Sequence, residues 1–405
     1  MALQGLRDTS NFIAEGRPKN WREGILLLFP NGKAPLTALT SVMKKRVIDD
    51  PEFNWWEKSF PTQRVALADA AGNELDAVAP GTSQTHNVVS GAKQLRKDHV
   101  LYVEETGELM LVEVDPPSDT AVQVTRGFAG TTPAIVDAAT DNPNLLVVGN
   151  AMVEGSTAPT AIAYDPVKKF NFTQIWRNTL EMTRTAMKTR LRTGDQVREA
   201  RREALELHSV EQERAFIWGR RSEDISGSSP RRTTGGILSY IDSTRVIDHS
   251  AGPVSMTDLE NDLELLFREG SQQKMAFCGN LALLTIQRIV RLNATYELVQ
   301  GQKEFGMNVS RLVSPFGEVV LRTHPLFNIL TGGTGYLGFN SHMLILDMEH
   351  LLYRPLKESD TKYEPDIATN DFDGLKAGYI TEAGLEIHHP TVHMWIKGLA
   401  SATTG

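Results

Sequence analysis

Between residues 66 and 150 apolar and polar positions alternate in short runs: "HVLYVEE", "ELMLVEV", "TAVQVTRG" and "NLLVVGN". Stretches such as "ETGE" and "VDPPSDT" separate them. Alternation with period two sends successive side chains to opposite faces of a strand. Four or more such strands at this spacing predict a small β barrel or sandwich. From residue 151 to 193 the pattern predicts two extended limbs around a loop. "GSTAPTAIAYDPVKK" is rich in Pro, Ser and Thr, and "FNFTQIWRNTLEMTRT" places Phe170, Phe172, Gln174 and Trp176 on one face.

The period then becomes helical. "TGDQVREARREALELHSVEQERAFIWG" begins at Thr193 or Asp195 as a cap and stops at Gly219. Val197, Ala200, Ala204, Leu207, Val210 and Trp218 follow helical spacing. About 25 residues at ~1.5 Å each make a rod of roughly 37 Å. Its narrow apolar face and opposite charges (Glu199 with Arg202, Arg202 with Glu206, Glu211 with Arg214) predict an exposed strut, not a core helix.

A compact α/β region follows the polar loop "SEDISGSSPRRTTGG". "TDLENDLELLFREG" suggests a helix with a capping box of Thr257 and Glu260, an apolar face of Leu259, Leu263, Leu266 and Phe267, and a stop at Gly270. "KMAFCG" reads as a buried strand and "NLALLTIQRIVRLN" as a second amphipathic helix, with Asn280 as a cap. "VSRLVSPFGEVVLRTHPLF" reads as a hairpin, "SHMLILDMEHLLYRPL" as one strand with its extension, and "GLKAGYITEAGLEIHHPTVHMWIKG" as two strands. Ahead of all this, residues 1 to 35 carry many Gly and Pro and little periodicity, which suits an extended arm. A short helix is expected over "PLTALTSVMKKRV", then an aromatic strand in "EFNWWEKSFPTQRVAL".

Length and composition narrow the classes. A chain of 405 residues has room for two or three cores. No run of 18 apolar residues exists, so no membrane span is expected, and the N-terminal stretch lacks the pattern of a secretory signal. The single cysteine, Cys278, sits in an apolar run and reads as a small buried side chain. The net charge of -8 argues against a nucleic-acid binder as a whole. The charge is uneven. Residues 1 to 48 hold eight Lys or Arg and three acids, a net of +5, while residues 356 to 386 hold three Lys and eight acids, a net of -5. Contacts between the basic arm of one copy and the acidic segment of another are one reading, and two solvated surfaces the other.

The segment "EAGLEIHHPTVHMWIKG" gathers His388, His389 and His393 beside Glu382 and Glu386. Strand geometry turns His388 and His389 to opposite faces, Pro390 interrupts the spacing to His393, and no HExxH helix or cysteine pair accompanies them. No metal is expected there. "GGTGYLG" matches G-x-G-x-x-G at Gly333, Gly335 and Gly338, but a strand pattern follows it where a phosphate site needs a helix. No Walker loop, nucleophile elbow or other catalytic constellation is present, so no catalytic residue and no cofactor are assigned.

The order of parts carries more information: a basic arm, long extended limbs, a lone long helix, then a compact α/β region. With the strings "NWWEKSFPTQ", "GSTAPTA", "NFTQIWRNTLEMT", "TGDQVREARREALE", "AFIWGRRSE" and "TTGGILSYI", the chain resembles the major capsid (head) proteins of tailed double-stranded DNA bacteriophages over nearly its whole length. The resemblance implies an α+β tailed-phage capsid fold. Residues 1–48 would be the N-terminal arm. Residues 49–66 and 149–193 would be extended-loop limbs and peripheral-domain strands, and 67–148 an inserted β domain. Residues 194–234 would be the spine helix and peripheral domain, 235–360 the axial domain, and 361–405 the return to the peripheral domain. Hexamers and pentamers would build an icosahedral shell around viral DNA, in the virion after assembly in the host cytoplasm. Partners would be its own copies, scaffolding and portal proteins, a decoration protein and, non-specifically, packaged DNA.

A thin shell subunit must bury apolar surface against neighbours. The contact candidates are Trp55, Trp56, Phe60, Phe170, Phe172, Trp176, Arg198, Arg202 and Trp218. The alternative for each aromatic is packing on its own strands. Lys168 and Lys169 near the loop tip could supply a cross-link seen in some relatives, but no residue pattern fixes a partner. Rival readings are an encapsulin-like cargo compartment, an enzyme with a site straddling the β insertion and the α/β region, and a sugar- or decoration-binding role for residues 67–148.

Overall fold

The computed structural model describes residues 43–58, 62–68, 75, 78–135, 144–189, 195–227, 229–293, 298–304, 307–328, 330–331, 335–336 and 338–402. The chain divides into a smaller unit, Trp56–Val167, and a larger one formed by Met1–Trp55 with Lys168–Gly405.

The smaller unit is built on strands β3 (Arg64–Ala66), β4 (Ser83–Asn87), β5 (His99–Val103), β6 (Leu109–Val112), β7 (Ala121–Thr125) and β8 (Asn144–Asn150). They form an antiparallel sheet in the order β3-β8-β5-β6-β7-β4. The two ends of that order meet. Leu67 bridges Val88, and Ala68 N–H donates to Asn87 O while Val89 N–H donates to Ala66 O, each at 3.0 Å. The sheet is therefore closed, which resolves barrel against sandwich in favour of the barrel. Alternation fills it: Val65, Leu101, Val103, Met110, Val112, Val122, Val124 and Leu145 point into one core. A closed sheet leaves no open edge, which allows such short strands to persist. The strands run from Arg64 to Asn150, whereas 67–148 was expected.

The larger unit holds two sheets. The first has seven strands: β13 (Val246–Asp248), β24 (Met394–Lys397), β20 (Met343–Leu346), β14 (Gln273–Cys278), β17 (Gly317–Thr323), β16 (Met307–Ser314) and β15 (Leu298–Glu304), in that order. Helices α3 (Met256–Phe267) and α4 (Asn280–Asn293) cover one face. Neighbouring residues divide between two cores. Ala276, Cys278, Met343, Ile345, Met394 and Ile396 pack under α3 and α4. Phe277, Leu344, Leu346 and Trp395 enter the core on the opposite face. Burial on both faces explains why "KMAFCG" and "HMLIL" read as unbroken apolar runs.

The second sheet joins β1 (Lys44–Lys45), β21 (Leu351–Pro355), β23 (Gly374–Ile387) and β10 (Gln174–Thr183), with β22 (Lys362–Glu364) also on β23. A short helix α1 (Arg184–Lys188) follows β10, and the long helix α2 (Gln196–Trp218) packs across β10 and β23. Strands β2 (Glu52–Glu57) and β9 (Val167–Phe172) make a two-stranded ribbon, β11 (Ser222–Asp224) and β12 (Arg231–Thr233) a hairpin, and β18 (Leu330–Thr331) and β19 (Gly335–Tyr336) a small ladder, of which β19 falls in the glycine-rich stretch "GGTGYLG".

Five expectations change. Asp195 caps α2, accepting from Val197 N–H, and Gly219 ends it. The buried stripe of α2, however, is Ala204, His208, Gln212, Glu213, Phe216 and Ile217, and Leu207 is 60% exposed. His208 and Glu213 hold this face through fixed partners, and hydrophobicity alone misplaces it. Helix α3 is capped by the box Ser255–Asp258, not Thr257–Glu260, because the helix starts two residues earlier. "SHMLILDMEHLLYRPL" is two strands in different sheets: the turn at Met348–His350, capped by Asp347, separates β20 from β21. In the C-terminal segment β23 joins the sheet of β10, whereas β24 joins the seven-stranded sheet, so 361–405 divides between the two. The helix expected over "PLTALTSVMKKRV" lies mostly outside the described residues, and its Lys44–Lys45 is strand, parallel to β21.

Candidate assembly interface

The aromatic ribbon is the natural starting point. In β2 the burial alternates, so Phe53 and Trp55 pack with Ile48, Tyr240 and Leu356, while Trp56, of opposite parity, is 66% exposed. Gly384 in β23 makes room for this packing. A Cβ there would stand 2.5 Å from the Phe53 ring and 2.9 Å from Phe172 O. That close approach accounts for a glycine inside a strand. In β9 the Phe170 ring lies 5.6 Å from Phe172 and 3.8 Å under the Arg221 guanidinium. Arg221 and Tyr240 both donate to Phe170 O, at 2.7 and 2.8 Å.

The next layer is α2 on β10. Trp176 meets Phe216 edge-on at 5.5 Å. His208 bridges the helix to the sheet, its Nδ1 2.7 Å from Asn178 Oδ1 and its Nε2 2.7 Å from Thr381 Oγ1. Burial lowers its pKa, so the neutral ring suits two hydrogen bonds here. Deeper still, Glu213 faces His324 Nε2 at 3.1 Å with both side chains fully buried. These contacts fix the helix along its C-terminal half.

The contact candidates therefore divide. Trp55, Phe172 and Trp176 are buried in their own chain, 5–7% exposed, as the own-strand alternative has it. Phe170 is half-buried, and so is Trp218, whose ring lies 4.9 Å from Phe339 and 5.7 Å from Phe327. Trp56 and Arg198 are exposed, and Arg202 is exposed beside Glu206 at 3.0 Å. Phe60 lies outside the described residues. Sequence reasoning passed over Ile175 (59% exposed), Ile225 (74%) and Val153 (69%). Ile175 was available from parity, since it alternates with Gln174 and Trp176.

Residues 151–166 have no strand or helix and are exposed nearly throughout. Few backbone N–H groups of this segment have a backbone acceptor, among them Ala151 N–H to Asp98 O and Ser156 N–H to Val153 O. Lys168 lies 4.0 Å from Glu52 with both side chains about half exposed, a weak surface pair.

Among the described residues no group of three or more His, Cys, Asp or Glu is placed to hold a metal ion. His393 is fully buried, its Nδ1 accepts from Asp347 N–H at 3.2 Å, and burial pushes its pKa down to about 3. His388 is tied to Glu386 at 2.6 Å. His389 adopts a left-handed backbone, φ 50°, at the turn before Pro390. Cys278 is buried, and its pKa is raised by desolvation. Among the described residues no helix is long and apolar enough to cross a membrane.

The chain matches the family described as SU10 major capsid protein over residues 7–400. The major capsid protein of Pseudomonas phage PaMx41 is 28% identical over 343 residues, spanning 82% of this chain and 78% of that protein. Among solved structures, the capsid of an empty GTA particle is 7% identical and covers 98% of each chain, with a TM-score of 0.49. An encapsulin complex from Synechococcus elongatus PCC 7942 is 12% identical and covers 60% of this chain and 80% of that one, with a TM-score of 0.44.

Proposed function

The chain belongs to the SU10 major capsid protein family and is a phage major capsid protein, and from that premise we propose how it assembles. Copies associate into hexamers and pentamers of an icosahedral head shell around double-stranded DNA. The near-complete family match carries this reading over a cargo compartment. The exposed segment 151–166 acts as the loop that lies on a neighbour, with Trp56 as an anchor. The long helix serves as the spine of a peripheral domain, and the barrel is an insertion. Scaffolding, portal and decoration proteins are further partners, and assembly takes place in the host cytoplasm. Many weak contacts repeated around a closed shell give cooperative stability that no single contact supplies.

The N-terminal arm fits this account through its root. Residues 43–48 are pinned to β21 in parallel register: Arg46 N–H donates to Tyr353 O at 2.9 Å, Ile48 N–H to Pro355 O at 3.0 Å, and Lys45 pairs with Asp360. Removing residues 1–30 leaves this root in place. We expect that truncation to block or misdirect assembly, scored by negative-stain microscopy of chain expressed with and without the viral scaffold. Normal-sized closed shells from the truncated chain would remove the arm from the mechanism. An intact chain that never forms shells with the scaffold present would sink the assembly reading.

A further inference from the structure

We infer that the barrel positions the assembly loop: Asp115 and Arg96 form a dock that fixes residues 151–166 at Thr160 and leaves the loop's apolar side chains outward. This rests on the reading of 151–166 as the segment that lies on a neighbour, and it gives the barrel a task of its own. Arg96, Asp115 and Thr160 all belong to the smaller unit.

The dock joins residues far apart in the chain. Thr160 Oγ1 donates to Asp115 Oδ2 at 2.7 Å, and Arg96 Nη1 donates to Thr160 O at 3.4 Å. Both anchors are themselves fixed. Asp115 Oδ1 accepts from Lys97 N–H at 2.8 Å. The Lys97 amide first, and then the Thr160 hydroxyl, hold its carboxyl below the usual carboxylate range, so it stays an ionised acceptor. Arg96 Nε donates to Nε2 of the buried His99 at 2.9 Å. Burial, then the Arg96 charge, lowers the pKa of His99, and the neutral ring is what that bond requires. Asp98, between Arg96 and β5, takes a left-handed backbone at φ 65°. Its carbonyl accepts from Ala151 N–H at 2.8 Å, which secures the start of the loop as well.

The geometry favours presenting the loop over storing it. The loop is held by one backbone amide, one carbonyl and one hydroxyl. Residues 151–160 are all exposed, Val153 by 69% and Met152 by 36%. A loop stored against the barrel would bury those side chains. Fixing Ala151 and Thr160 cuts the free span from the 16 residues 151–166 to the eight of 152–159. Halving a flexible span makes its closed state about threefold more favourable. A loop ordered before contact loses less entropy when it meets a neighbour. Arg96, Asp115 and Thr160 are therefore positioning residues for that contact.

The test pairs a distance with an assembly threshold. Cys278 is the single cysteine and is buried, so Lys93→Cys/Ala158→Cys places two spin labels on the full chain, one on the barrel and one in the loop. In the unassembled subunit the distance distribution should be narrow. Thr160→Val and Asp115→Ala should broaden it, Thr160→Ser should keep it narrow, and Thr157→Val, also in the exposed loop, should leave it unchanged. Without labels, Thr160→Val should raise the threshold concentration for shell formation about threefold or more, with the thermal transition of the barrel unmoved. Equal breadth with and without Thr160→Val removes the dock. A broadened distribution with an unchanged threshold removes its role in assembly, and a lowered threshold makes the contact a restraint instead. If the original chain forms no shells with the scaffold present, the assembly reading falls and this role with it, whereas the distances still decide whether the dock exists.

Discussion

Replacing Arg126 with methionine is expected to destabilise the barrel by roughly 3–5 kcal/mol, the usual result of stranding one partner of a buried ion pair. Arg126 and Glu108 are both fully buried and meet twice at 2.7 Å. The guanidinium also donates to Gln84 Oε1 at 3.1 Å and to Ala134 O at 2.9 Å. The carboxylate accepts from Gly127 N–H at 3.0 Å and Ala134 N–H at 3.3 Å. Gly127, at φ 68°, has Pro80 and Thr131 O each 2.9 Å from where a Cβ would sit, so this turn has no slack. Arg126→Met leaves the carboxylate with two backbone donors and no countercharge. Calorimetry should show the transition of the smaller unit falling by more than about 12 °C. The double replacement Glu108→Leu/Arg126→Met should recover most of the loss, since an apolar pair of similar volume removes the stranded charge. A single variant within a degree or two of the original would show that the pair is not what holds the barrel end.

Trp56→Ala is expected to act on assembly and not on the subunit. The indole is 66% exposed, so its removal should change subunit stability by less than about 0.5 kcal/mol. As an anchor against another copy, its truncation should cost about 2 kcal/mol per contact. The threshold concentration for shell formation, followed by light scattering, should then rise more than about tenfold. Trp55→Ala should behave oppositely. Trp55 is 6% exposed and stands near the Phe53, Tyr240 and His388 rings, so its loss destabilises the subunit first. An unchanged threshold for Trp56→Ala would remove it from the interface.

What could be read in the sequence was whatever a single period encodes. The barrel strands alternate cleanly because each has one wet face. The amphipathic helices α3 and α4 and their order were likewise legible. The stripe of α2 was not, because its buried positions include His208, Gln212 and Glu213, and the partners of His208 (Asn178 and Thr381) and of Glu213 (His324) come from distant segments. Strand membership in the two sheets was also out of reach. Nothing local in "MLILDMEHLLY" tells that Asp347 ends one strand and that the next pairs elsewhere. Lys274 illustrates the same limit inside "KMAFC". Its Nζ donates to the carbonyls of Leu266, Glu269 and Val392 at 2.8–2.9 Å, closing the end of α3, where the sequence shows only a charge beside an apolar run. At the candidate interface, chemistry-bearing residue types pointed to aromatics, but parity decided which of them face outward.

The account rests on surface that only another copy covers, above all residues 151–166. Hydrogen–deuterium exchange, compared between unassembled subunits and closed shells, measures that coverage directly. Residues 151–166 should exchange fast in the subunit, where few of their amides have protein acceptors, and become strongly protected in the shell. The barrel core at Leu101, Met110 and Val122 should be protected in both. Equal, fast exchange of 151–166 in subunit and shell would contradict the account.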